Sequence, residues 1–108
     1  MESKTNQPRR FFAYVPPELE DLVPRFIDNM RQNLEQMRQA HQKGDLEIAK
    51  SIGHDMKGVG KSYGFDDISH IGEELENTAI KKNAEEVNRS LNRLADYIEN
   101  VQIIILEE

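Results

Sequence analysis

His54 is the residue best placed to do chemistry in this sequence. It lies in GHDMKGVGKSYGF, residues 53–65, with Lys57 three positions on, Gly58 four and Lys61 seven, while Lys50 and Ser51 precede it by four and three. In a helix those offsets put side chains on one face. A neutral imidazole, with an unperturbed pKa of about 6.5, is largely a free nucleophile near neutral pH. It can attack phosphorus and form a phosphoramidate. An ammonium one turn away, Lys57 first among them, is suited to holding the three phosphoryl oxygens. Gly53 and Gly58 remove side chains next to the histidine and are expected to leave a shallow, open surface that another molecule can approach closely. Each helix-interior Gly costs about 0.5–1 kcal/mol relative to Ala, and this stretch carries four.

The elements that must position these residues follow from the spacing of apolar side chains. Residues 1–13 are polar and basic without a period and are read as a flexible tail, with a helical domain over 14–108. Pro16-Pro17 marks a stop and a start, so Glu18–Val23 is expected as a short additional N-terminal helix, and Pro24 kinks it or opens the next. Phe26, Ile27, Met30, Leu34 and Met37 predict a long amphipathic helix to about Gln42. Gly44-Asp45 then breaks the chain, Gly44 as the residue after the helix and Asp45 as the next N-cap.

A third helix is predicted with Ile48, Ile52, Met56, Val59 and Tyr63 on its core stripe, ended by Gly64 in a purely structural role. Two positions past Ile52 is about 200° around a helix, which turns His54 toward solvent. Asp66 or Asp67 caps a fourth helix bearing Ile68, Ile71, Leu75 and Ala79. Asn83-Ala-Glu-Glu86 has the form of a capping box, followed by a stripe from Val87 through Leu91, Leu94, Ile98 and Val101 to Ile105. No segment is read as alternating with period two. The expectation is an all-α fold: an antiparallel four-helix bundle with a short extra helix in front.

Composition excludes several classes of function. A chain of 108 residues fits one domain. Its net charge of −6 argues against bulk nucleic-acid binding. No apolar run approaches the roughly 20 residues of a membrane span, and MESKTNQPRRFF carries no apolar core of the signal-peptide kind. With no cysteine there is no disulfide, thiolate metal site or Cys nucleophile. A cytoplasmic protein is expected. Arg9-Arg10-Phe11-Phe12 is too short for a membrane anchor. Val101 to Leu106 must cover the N-terminal Phe11, Phe12 and Val15 or meet a second molecule; the first is favoured, and with it a monomer.

His54-Asp-Met56-Lys57-Gly58, with Gly64 ten residues past the histidine, resembles the H-x-L-K-G signature of histidine-containing phosphotransfer (Hpt) domains. Gly44-Asp45 falls where that family often turns between its second and third helices, and Leu75-Glu76 matches a Leu-Glu common near the end of its fourth. The resemblance covers about residues 17–106. It implies that His54 is phosphorylated and that Lys57 assists the phosphoryl group. Gly58 would leave room for a response-regulator receiver domain, with Lys50, Ser51, Gly53 and Lys61 also on the docking surface. Met56 stands in place of the usual Leu and Gly53 in place of a frequent Ala.

The family reading implies a phosphocarrier in a two-component phosphorelay, not an autokinase. No P-loop or glycine-rich ATP loop is present. No cofactor of its own is implied; a metal ion would arrive with the receiver, which could belong to a hybrid sensor kinase. On the long amphipathic helix that runs to about Gln42, Asn29, Arg31, Gln32 and Gln36 are candidate receiver contacts. Two other classes compete. A non-catalytic bundle could bind receivers or other signalling proteins through the same lysine-flanked surface. A metal-binding bundle would draw on His70, Glu73, Glu74 and Glu76, but the expected core stripes contain no Glu or His, and no metal is predicted.

Overall fold

The structure, a computed structural model, describes residues 11–107. Four helices form its body: α1 (Val23–Gln42), α2 (Glu47–Ser62), α3 (Asp66–Ile80) and α4 (Ala84–Asn100). Strands β1 (Phe11–Val15) and β2 (Val101–Ile105) flank the helices in the chain, and a 3₁₀ segment, Pro17–Leu22, leads into α1. The chain is thus mostly helical, with a strand pair that the sequence reading did not anticipate.

Each break between helices has a local cause. Gly44 follows α1 at φ +77°, and the Asp45 carboxylate accepts the Glu47 N–H at 2.9 Å. Gly64 follows α2 at φ +90°, where a Cβ would stand 2.1 Å from the Tyr14 carbonyl oxygen. Conformation and crowding both require glycine there. The Asn83 side chain accepts the Glu86 N–H at 3.1 Å, the forward half of the expected capping box. Asp66 and Asp67 make no cap bond but lie in the first turn of α3, where negative charge suits the helix dipole.

Two expected elements differ. The short N-terminal helix is the 3₁₀ segment, bounded by Pro17 and by Pro24 in the first turn of α1. Prolines donate no N–H, so these residues close short bonds such as Leu19 N–H to the Pro16 carbonyl, 2.9 Å. The last helix ends at Asn100, whose side-chain amide donates to the Asp96 carbonyl at 2.9 Å, and Val101 is already extended. The β-branched run that follows favours a strand. It pairs in parallel with β1, from Phe11↔Val101 to Val15↔Ile105. Phe11, Phe12 and Ala13, assigned to the tail, therefore belong to β1; residues 1–10 lie outside the described part. Val101–Ile105 does cover the N-terminal segment, as a strand instead of a helix.

The core joins Phe26, Met30 and Met37 of α1 to Ile68, Ile71 and Leu75 of α3 and to Val87, Leu91, Leu94 and Ile98 of α4. Those stripes match the apolar spacing of the sequence. On α2 only Met56 of the expected stripe is fully buried, while Ile48 and Val59 are more than a third exposed. The buried face of α2 is instead Ala49, Gly53, Met56 and Gly60, so the helix is turned about its axis relative to expectation.

Candidate functional site

That rotation comes from a seam of small residues between α2 and α3. A Cβ at Gly53 would lie 2.7 Å from the Gly72 carbonyl oxygen and 2.9 Å from the Glu76 nitrogen. One at Gly72 would lie 2.6 Å from the Gly53 oxygen, and one at Gly60 2.7 Å from the Ser69 nitrogen. Ser69 Oγ donates to the Lys57 carbonyl at 2.8 Å. The two backbones touch, and the contacts run up α2 as they run down α3. Gly53 is therefore not part of an open docking surface: it is buried against α3, because only a residue without a side chain lets the helices approach this closely.

The seam brings α3 side chains to His54. Its Nδ1 lies 2.9 Å from Glu76 Oε2, and the other carboxylate oxygen, Oε1, lies 3.7 Å from Lys57 Nζ. A carboxylate only accepts, so the Nδ1–H donates, and in the neutral ring Nε2 keeps its lone pair. The His54 side chain is 67% exposed and Glu76 only 17%, so the ring stands in solvent with its orienting partner beneath it. A bond from Nε2 to an electrophile builds positive charge on the ring, and the carboxylate at Nδ1 offsets it.

The surroundings divide by side. Gly58 is exposed, and a Cβ there would meet nothing within 4 Å, so that flank is open as expected. Lys50, Ser51 and Lys61 are exposed on the same face, with Lys50 3.7 Å from Glu47. Toward α1, Asp55 and Val59 line a groove with Arg25, Asn29, Gln32 and Tyr63. Of the four α1 candidates Asn29 and Gln32 lie in it. Arg31 instead meets Glu99 at 3.6 Å, and Gln36 lines a separate depression with Lys43 and Ile48.

Glu76 is the site residue that sequence reasoning missed in this role. A signal was present: Gly53 and Gly72 each stand four residues before a charged side chain, Lys57 and Glu76. Facing glycines bring those side chains together. Of the other two carboxylates of the competing metal set, Glu74 turns elsewhere and accepts from Arg93 Nη1 at 2.7 Å. Among the described residues no three His, Asp or Glu side chains are grouped to hold a metal ion.

In comparisons with known proteins, no curated protein and no solved structure matched the chain. A family model described as the Hpt domain does match, over residues 21–103. That range takes in all four helices and the His54–Glu76–Lys57 cluster they assemble, and on this extent the chain belongs to the Hpt domain family.

Proposed function

We propose that the chain carries a phosphoryl group on Nε2 of His54 and exchanges it with the aspartate of response-regulator receiver domains, those of hybrid sensor kinases included. Hpt domains are phosphocarrier modules of two-component signalling that interact with such receivers. The finer reading rests on one observation: a single buried-side carboxylate, Glu76, holds the His54 ring at Nδ1 and reaches toward the Lys57 ammonium. In the charging step Nε2 attacks the phosphorus of a receiver's aspartyl phosphate, the N–P bond forms, and the P–O bond to the aspartate breaks. The aspartate leaves as carboxylate. Lys57 turns its ammonium to the phosphoryl oxygens, and Glu76 offsets the imidazolium charge. Discharge is the reverse.

Lys50, Ser51, Gly58 and Lys61 form the docking face around the ring, continued by the groove toward α1. The helices alternate in direction as an antiparallel bundle, supported by turns of three or four residues between them. Among the described residues no helix is long and apolar enough to cross a membrane, and we place the protein in the cytoplasm.

The test is transfer from a radiolabelled phospho-receiver to the wild type and to His54→Gln. Label that is acid-labile and base-stable on the wild type, lost in the variant while receiver binding persists, supports the reading. A wild type that binds receivers yet takes no label would make it a non-catalytic adaptor.

A further inference from the structure

We infer that Arg25 and Asp55 select among receivers by charge order: the groove between α1 and α2 admits a receiver surface that sets an anionic side chain at Arg25 and a cationic one at Asp55, with an apolar side chain between them. This rests on the receiver exchange proposed above and adds to it the residues that choose the partner. The lining of the groove holds those two charges and otherwise only neutral side chains, the amides of Asn29, Gln32 and Asn33 among them. Arg25 and Asp55 are both exposed, and among the described residues neither has an ion-pair partner.

The two charges stand at opposite ends. Tyr63 stacks on Phe26 with ring centroids 4.8 Å apart, which puts Arg25, beside Phe26 in the chain, level with the end of α2. Asp55 lies eight residues before Tyr63 on the same helix, about 12 Å back along its axis. Separated in this way, each is left to pair with a group from outside the protein. Between them the groove is apolar. Phe26 and Met30 are buried in its lining, and Val59 and Leu22 stay 38% and 44% exposed.

The groove is continuous with the docking face, since Asp55 follows His54 and turns about 100° from it around the helix. A receiver that brings its aspartyl phosphate to Nε2 therefore lies beside Asp55. It meets a carboxylate next to the ring, an apolar contact one turn on at Val59, and a guanidinium about 12 Å from the carboxylate. A partner with the opposite charge order brings like charges together at both ends. Such repulsion rejects wrong partners more strongly than exposed matched pairs hold the right ones.

A panel of purified receiver domains tests this. Binding is read by calorimetry, and single-turnover transfer is read from the labelled phospho-form of the tightest binder, at about 0.05 M and about 0.5 M salt. Arg25→Glu and Asp55→Lys should each raise the dissociation constant, and the receiver concentration for half-maximal transfer, about 3- to 30-fold at low salt. The loss should shrink at high salt, and the maximal rate should stay within about threefold. Arg25→Gln and Asp55→Asn, which only remove the charges, should show smaller losses of the same kind. Arg31→Glu makes the same change of net charge as Arg25→Glu outside the groove, where Arg31 meets Glu99, and should leave affinity within about twofold. Affinities that move no further than in Arg31→Glu overturn the inference and leave the phosphocarrier reading standing, as does a loss confined to the maximal rate. A wild type that binds receivers but takes no label overturns that reading instead, and the calorimetric affinities still decide the role of the two charges. A chain that binds no receiver overturns both.

Discussion

Replacing Glu76 by Gln isolates what its charge does for the histidine. The amide oxygen can still accept the Nδ1–H at the 2.9 Å separation now seen, so ring orientation survives and only the negative charge is lost. Two unit charges about 4 Å apart interact by ~4 kcal/mol at an effective dielectric of 20. The ring is 67% exposed, and in the transition state only part of the imidazolium charge has formed. Both facts cut the term toward the ~1.5–2 kcal/mol typical of a charge-assisted hydrogen bond. That corresponds to a transfer rate lower by about 10- to 30-fold. Single-turnover rapid quench over a range of receiver concentrations separates the maximal rate from the binding constant. The expected loss is in the maximal rate, with receiver affinity within about threefold of wild type. A maximal rate unchanged within twofold, or a loss confined to affinity, would refute the argument that Glu76 acts on the charge of the ring.

The glycines predict opposite outcomes. Gly58→Ala meets nothing within 4 Å, so the helix gains ~0.5–1 kcal/mol. Calorimetry should show a melting point raised by a few degrees, while receiver affinity falls because the new methyl stands on the docking face. Gly72→Ala drives a Cβ to 2.6 Å from the Gly53 oxygen and 2.7 Å from the Lys57 nitrogen, an overpacking cost of about 1–3 kcal/mol. The melting point should fall by about 5–20 °C and the transfer rate with it, since α3 and Glu76 are pushed from the ring. Tyr97 is completely buried, and its hydroxyl has no hydrogen-bond partner; burial, with Asp67 and Asp66 nearby, raises its pKa. Tyr97→Phe should leave stability unchanged or increase it by up to ~1 kcal/mol in chemical denaturation, since it removes an unsatisfied buried group. A clear loss would mean that a water satisfies the hydroxyl.

Most of the helical body was legible in the sequence, because α1, α3 and α4 bury large side chains at helical spacing. Ile68, Ile71 and Leu75 needed no tertiary information to be placed. The errors share one cause, in that period alone does not say what a face packs against. On α2 the apolar stripe through Ile48 and Val59 looked like the core side. The true contact face was hidden because its members, Gly53 and Gly60, have no hydrophobic side chain to register. The end of α4 went astray for a related reason. Val101 and Ile105 continue a helical stripe by spacing, and only the partner strand Phe11–Val15, some ninety residues away, makes extension the better choice. Of the site, His54, Lys57 and the open flank at Gly58 could be read along one helix. Glu76 could not, since its place beside the imidazole depends on how closely two helices approach.

The glycines around His54 therefore serve two distinct ends. Gly53, with Gly72 and Gly60, sets a distance: the backbones of α2 and α3 come close enough for a carboxylate on one to grip an imidazole on the other. Gly58 sets access, by leaving the exposed side of the ring without a neighbour. The first group acts before any partner arrives. The orientation of the ring and its tautomer are fixed by the protein's own packing, so the entropy of aligning the nucleophile is spent in folding and not in each encounter. In the function proposed above, a receiver then has only to bring a phosphoryl group within reach of Nε2. This arrangement suits a carrier that must accept from one receiver and donate to another. In that proposed relay the nucleophile would be the same for both, and selectivity between them would be left to the surface around it.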